Sequence, residues 1–257
     1  MVDTGTPISK AIRLFATRGI GHAAVVDENN ILVGILSVKD IAKYVVEAFE
    51  NAGTVEQATM EAVLDTAVAE ISTKPPIVIR EPDLCKAAEL IVTRNIGFVP
   101  LVDDNGKFLG GYAELDTAFE LLDSEKPARR YATNNVVVGE PEQPLIEALG
   151  FMLEQGFRRM PFKYDEDYYI STMSSLLRAI VRKPRAETLL RPVAEYASPA
   201  AVLNYDEARV SDVAEIILAI TERAVLLLED HDLKAIMTER DLVRAYMDEK
   251  ECSRMKY

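Results

Sequence analysis

The chain reads as an α/β protein made of four β-α-β-β-α repeats. Three observations predict this. Residues 10–42 align with 86–118 after a shift of 76 positions without a gap, and 13 of the 33 pairs are identical. Within each copy the apolar residues pass from helical spacing to short strand-like runs in the same order. Asp, Asn and Gly cluster where one run must reverse into the next.

The identities include Lys10/Lys86, Leu14/Leu90, Thr17/Thr93, Arg18/Arg94, Gly21/Gly97, Asp27/Asp103, Gly34/Gly110 and Asp40/Asp116. The first element of the copy is an amphipathic helix. Ala11, Leu14 and Phe15 match Ala87, Leu90 and Ile91 at the i, i+3, i+4 spacing of one buried stripe. A short apolar strand follows at 23–26 or 99–102. Asp27-Glu28-Asn29-Asn30 or Asp103-Asp104-Asn105-Gly106 then supplies a tight turn. A second strand, 32–36 or 108–112, leads into a last helix that opens near Ser37. Extended segments at 76–79 and 200–203 precede the first helix of copies two and four. The third copy runs from Leu145 through Arg158, Arg159 and Met160 to Thr172 and Ala179. The fourth runs from Val210 through Ala224 to Thr238, Asp241 and Ala245.

The expected division is a first pair, 1–125 (repeats about 1–46 and 68–123), and a second pair, 126–257 (repeats about 133–183 and 193–249). A stretch over 124–135 reads as the linker between them. Residues 46–69 read as a helical insertion of unassigned role.

Hydrophobic residues make up 49% of the 257 and charged residues 28%, an ordinary globular balance. The net charge of −13 leaves no broad basic face for nucleic acid. The deficit is concentrated in 1–125, net −10 against −3 for 126–257, so an anion is better hosted by the second half. The longest aliphatic run, Ala224 to Leu228, is far short of a membrane span, and the first residues do not read as a signal peptide. Cys85 and Cys252 form neither a disulfide framework nor a zinc spacing. Cys85 reads as buried filler, and a reducing cytoplasmic setting is expected. No spacing suits a metal, a Walker loop or a nucleophile–base pair, so an enzyme is not expected.

The positions able to carry chemistry lie where the second strand meets the last helix. Copy one reads Ser37-Val38-Lys39-Asp40 and copy four Thr238-Glu239-Arg240-Asp241. One reading is a capping box, in which hydroxyl and carboxylate each serve the other residue's backbone N–H. The other is a ligand site. A helix N-terminus attracts phosphate, and a carboxylate in its first turn accepts two ribose hydroxyls.

The segments Ile20–Asp27 and Gly34–Ile41, with this order of elements, resemble cystathionine-β-synthase (CBS) domains. These occur as tandem pairs called Bateman modules. The resemblance covers nearly the whole chain and implies four CBS repeats in two modules. It also implies regulatory binding of an adenine nucleotide (AMP, ADP or ATP) in clefts between paired repeats, with no required cofactor, a regulated protein partner and module-on-module homodimers. Carried over by position, nucleotide contacts fall on Ser37, Asp40, Asp116, Thr238 and Asp241, with Arg158, Arg159 and Arg223 as phosphate candidates. Copy two has Ala113 in place of the hydroxyl, and copy three has Ser175 in place of the acid, so weaker or altered sites are expected there.

Other features read as structural. Arg178, Arg182, Lys183, Arg185 and Arg191 suit a solvated face, and His22, beside the expected cleft, suits a packed or hydrogen-bonded histidine rather than a catalytic one; His231 lies in a different repeat. Tyr164, Tyr168 and Tyr169 suit a decorated hairpin. The favoured function is a non-catalytic sensor of energy state. An interaction scaffold with vestigial sites and a nucleic-acid-linked regulator are the alternatives.

Overall fold

The structure, a computed structural model, describes residues 1–74 and 77–252. Repeat one contains β1 (Val2–Asp3), α1 (Ile8–Arg18), β2 (His22–Val26), β3 (Leu32–Ser37) and α2 (Val38–Ala52). The insertion follows as α3 (Gln57–Asp65) and α4 (Val68–Ile71). Repeat two contains α5 (Leu84–Thr93), β4 (Phe98–Val102), β5 (Phe108–Ala113) and a 3₁₀ helix, Glu114–Leu121. Repeat three contains α6 (Leu145–Gln155), β6 (Arg159–Tyr164), β7 (Asp167–Thr172), α7 (Met173–Arg182) and β8 (Ser198–Pro199). Repeat four contains β9 (Ala201–Asn204), α8 (Val210–Ala219), β10 (Ala224–Glu229), β11 (Asp232–Thr238) and α9 (Glu239–Glu249).

The local rules account for these elements. In α1, Ile8, Ala11, Ile12 and Phe15 are buried at helical spacing. The helix ends at Gly19, whose φ of 60° suits glycine and whose N–H returns to the Phe15 carbonyl. The strands after it form an antiparallel hairpin in which His22 faces Ser37, and the same register pairs Arg159 with Thr172 and Ala224 with Thr238. The entering strands are short. β1 runs parallel to β2 and β9 parallel to β10. The strand expected over 76–79 reduces to one parallel bridge, Ile79 to Leu101, and Pro76 lies outside the described residues. In repeat two the last helix is 3₁₀, where Ala113 has no side-chain oxygen to accept an amide of the first turn.

Packing groups the repeats in alternation rather than in chain order. One compact unit takes the described residues of Met1–Pro76, Asn105–Phe108 and Val138–Pro199. The other takes those of Ile77–Asp104, Leu109–Val137 and Ala200–Tyr257. The expected boundary near residue 125 therefore cuts across both. In the first unit α1 packs on α7 and α2 on α6, so the helix stripes of repeats one and three bury each other. The insertion closes this core with Met60, Val63 and Leu64, and Gln57 bonds the Pro184 carbonyl and the Ala186 N–H. In the second unit α5 packs on α9, and α8 packs on the 3₁₀ helix of repeat two.

Three stretches follow the last helices of repeats one to three as straps. Thr66 accepts the N–H of Ile8, and Thr73 exchanges both backbone bonds with Ile35. Arg191 accepts the N–H of Leu145, and Ser198 pairs with Ile170. The third strap crosses over. Lys126 accepts the N–H of Val210, and Thr133 exchanges both bonds with Ile236, so the stretch read as a linker is built into repeat four. The exchange is reciprocated. Cys252, beyond α9 of repeat four, is joined to Cys85 in α5 of repeat two, with Cα atoms 5.3 Å apart. The expectation of two unlinked cysteines is corrected here. They are 167 positions apart, and only the packing of α5 on α9 brings them together.

Candidate functional site

The start of each repeat's last helix is built by two residues three positions apart, one at the cap and one in the first turn. In repeat one the Ser37 N–H and Oγ both donate to Asp40 Oδ2, each at 2.7 Å, and the Asp40 N–H donates to Ser37 Oγ at 3.2 Å. Both of the first bonds land on Oδ2 and neither on Oδ1. In repeat four the Thr238 N–H and Oγ1 donate to Asp241 Oδ2 at 2.7 and 2.9 Å. In repeat two the Ala113 N–H donates to Asp116 Oδ2 at 2.7 Å with no hydroxyl beside it. In repeat three the box is neutral. The Thr172 N–H donates to Ser175 Oγ at 3.0 Å, and the Ser175 N–H to Thr172 Oγ1 at 2.9 Å. The capping box is thus present at Ser37–Asp40, where it uses one carboxylate oxygen.

Burial sets the electrostatics. Asp241 is 3% exposed, and burial pushes its carboxyl up, opposed by the Thr238 N–H and by Arg244. Burial likewise raises Asp116, opposed by the Ala113 N–H. Arg244 pairs with Asp241 Oδ1. Two further acids, Glu114 and Glu239, occupy the first helical positions of repeats two and four and are buried. Arg240 meets Glu114 at 2.5 Å and also binds Asn95 and the Ile96 carbonyl. The repeat-one counterpart of Arg240, Lys39, reaches the Gly156 carbonyl at 3.5 Å.

The three arginine candidates fall in different places. Arg158 and Arg223 each directly precede the residue that faces the helix cap, as Gly21 does in repeat one. A β-carbon added at Gly21 would lie 3.7 Å from Arg158 Nη1. The Gly21 carbonyl accepts the N–H of Val38, the first residue of α2, so Arg158 is brought to the helix start of repeat one. Arg159 lies in β6 opposite Thr172. Arg223 lies against Glu239 in its own repeat, Nε to Oε1 at 3.6 Å, which offsets its charge for a phosphate.

Sequence reasoning missed Glu114, Glu239, Arg240 and Arg244, whose partners lie in other turns or repeats. It also missed the straps, although a signal existed. A residue that accepts a helix N–H precedes a strand-pairing Thr or Ser by seven positions in each: Thr66/Thr73, Lys126/Thr133 and Arg191/Ser198. Of the basic run, Arg182, Lys183, Arg185 and Arg191 are exposed, whereas Arg178 is half-buried, and Arg191 pairs with Glu195. Tyr164, Tyr168 and Tyr169 do lie on the β6–β7 hairpin. Among the described residues no group of three or more His, Cys, Asp or Glu could hold a metal ion, and no helix is long and apolar enough to cross a membrane.

The CBS domain family model matches residues 1–47 and 68–113. An uncharacterised 33.4 kDa protein in the ribosomal RNA operon of Thermofilum pendens is 28% identical over 238 residues, covering 86% of this chain and 75% of that protein. Protein MJ1225 of Methanocaldococcus jannaschii is 28% identical over 163 residues, 61% of this chain and 58% of that protein. Its crystal structure, described as that of a candidate archaeal homologue of γ-AMPK, superposes with a TM-score of 0.80 at 23% identity. The match covers 96% of this chain and 95% of that one. A conserved protein of Pyrococcus horikoshii superposes at 0.59 with 22% identity, covering 88% and 90%.

Proposed function

We propose that this chain, which belongs to the CBS-domain family, is a non-catalytic sensor that binds an adenine nucleotide and passes energy state to a protein partner. The observation that carries the reading is the hydroxyl-and-carboxylate cap at the helix starts of repeats one and four. At Asp40 it leaves Oδ1 outside the cap bonds. A helix N-terminus favours phosphate, and the carboxylate favours neutral ribose hydroxyls, so one turn offers complementary contacts to the two parts of a nucleotide. Ser37 and Asp40 are the strongest contacts in this reading, followed by Thr238 and Asp241, and then Asp116 without its hydroxyl. Arg158 is the favoured phosphate ligand, since it lies near the α2 start. Arg159 and Arg223 rank below it. The likeness to a protein described as a γ-AMPK homologue supports a nucleotide of the AMP, ADP and ATP series.

Isothermal titration of nucleotide-stripped protein with AMP, ADP and ATP tests this. The expected result is micromolar binding, lost from one site in Asp40→Ala while the chain stays folded, because a lost cap costs only about 1 kcal/mol. Absence of heat with all three, together with an unchanged melting temperature, would refute the reading and favour a scaffold. The neutral cap of repeat three fits a scaffold best.

A further inference from the structure

Asp40 and Asp241 hold the same position in their repeats, yet their surroundings differ six residues after the cap. In repeat one that position is Lys43, which turns along its helix to Glu47, Nζ to Oε1 at 3.6 Å, with both side chains exposed. In repeat four it is Arg244, which turns back to Asp241. Oδ2 of Asp241 is taken by the Thr238 N–H and hydroxyl, and Oδ1 by the guanidinium. Both oxygens that a ribose would use are engaged.

The guanidinium is also held from the other side. Arg244 Nη2 donates to the Tyr131 carbonyl at 3.4 Å, in the strap that crosses from repeat two. Tyr131 is fixed through its hydroxyl to Asp248 Oδ2 at 2.5 Å, and the same carboxylate takes Lys126 at 2.9 Å and Arg130 at 3.2 Å. Asp241, Arg244 and Asp248 are spaced three and four apart on α9, so they share one face, which the strap touches through Lys126, Arg130 and Tyr131.

We propose that Arg244 is an internal occupant of the Asp241 carboxylate, a latch that a nucleotide ribose must displace, so that repeat four is the weaker nucleotide site and repeat one the stronger. The proposal rests on the nucleotide reading above. A ribose hydroxyl brings no charge to the carboxylate, whereas the guanidinium adds the attraction of its own positive charge to the hydrogen bond. Arg244 is able to leave, because its side chain is 47% exposed and would re-enter water. Asp241 is not able to follow it, because its side chain is 5% exposed, and its carboxylate would be stranded until the ribose hydroxyls arrive.

The test is titration with AMP, repeated with ATP, on Asp40→Ala, on Asp40→Ala with Arg244→Met, and on Asp40→Ala with Asp241→Ala. Silencing repeat one leaves the weaker site visible. Removing the guanidinium should tighten that site by about tenfold, the scale of one charge-assisted hydrogen bond. Removing Asp241 should abolish it. Arg244→Gln should reproduce the tightening, and a thermal melt verifies that both variants fold. Binding that needs Asp241 but is unchanged or weakened without Arg244 overturns the latch and leaves the nucleotide reading standing. No binding by wild type or any variant overturns both.

Discussion

Breaking the Cys85–Cys252 bond should destabilise one half of this chain and spare the other. The bond closes a loop of 167 residues. The chain-entropy relation for a loop of that length gives about 5 kcal/mol at room temperature, the ceiling for what the crosslink removes from the unfolded ensemble. At about 2–4 °C of melting temperature per kcal/mol for a chain of this size, the shift is roughly 10–20 °C. Both cysteines lie in the unit formed by repeats two and four, where Cys252 follows α9 and Cys85 lies in α5. The loss should therefore fall on that unit's transition. Differential scanning calorimetry of Cys85→Ser, Cys252→Ser and the double variant, each with and without reductant, measures it. Reductant and either single substitution should give the same shift, and the second substitution should add nothing, because one missing sulfur already removes the bond. A shift below about 2 °C, or one that moves the transition of repeats one and three, would refute the reasoning.

Two further predictions concern the straps. Asp248 is held down to about 2, chiefly by the Tyr131 hydroxyl and Lys126, and Tyr131 is pushed up to about 12 by burial and by Asp248. A depressed carboxylate gives stability present above its ordinary 3.8 and lost as pH falls towards about 2. A raised phenol gives stability present below its ordinary 10 and lost as pH rises towards about 12. Tyr131→Phe should reduce the alkaline loss, leaving the part from Tyr196 and Tyr246, which burial also raises, and should raise the Asp248 carboxyl, read by melts across pH and by carboxyl chemical shift. An unchanged alkaline fall would remove Tyr131 from the account. In repeat one, a β-carbon at Gly34 would lie 2.6 Å from Ser72 Oγ and 3.0 Å from Ser72 Cβ, where the strap crosses β3. Gly34→Ala should cost about 1–3 kcal/mol in urea denaturation, and Ser72→Gly in the same chain should recover part of it.

Short-range physics was readable along the chain. The α1 stripe needs only residues three and four apart, and the Ser37–Asp40 cap closes within one turn. Hence the element order, the hairpin turns and the start of the last helix all follow from local pattern. The duplication is itself a physical constraint, since two copies with the same apolar stripe need the same kind of buried face. Repeat two shows the limit. Its one missing hydroxyl, at Ala113, was visible, but the resulting 3₁₀ helix was not.

Partner choice was decided only in three dimensions. An apolar stripe states that a face will be buried and carries no address for what buries it. Repeat one could have packed its helices on any other copy, and the fold joins it to repeat three through α1 on α7 and α2 on α6. The Arg13 bond to the Val181 carbonyl spans 168 positions, and the disulfide spans 167. Arg244 lies three residues from Asp241 and was still missed. Lys43, its counterpart in repeat one, turns to Glu47 instead. A long cationic side chain has several carboxylates within reach, and the surrounding packing, here a strap from another repeat, selects among them.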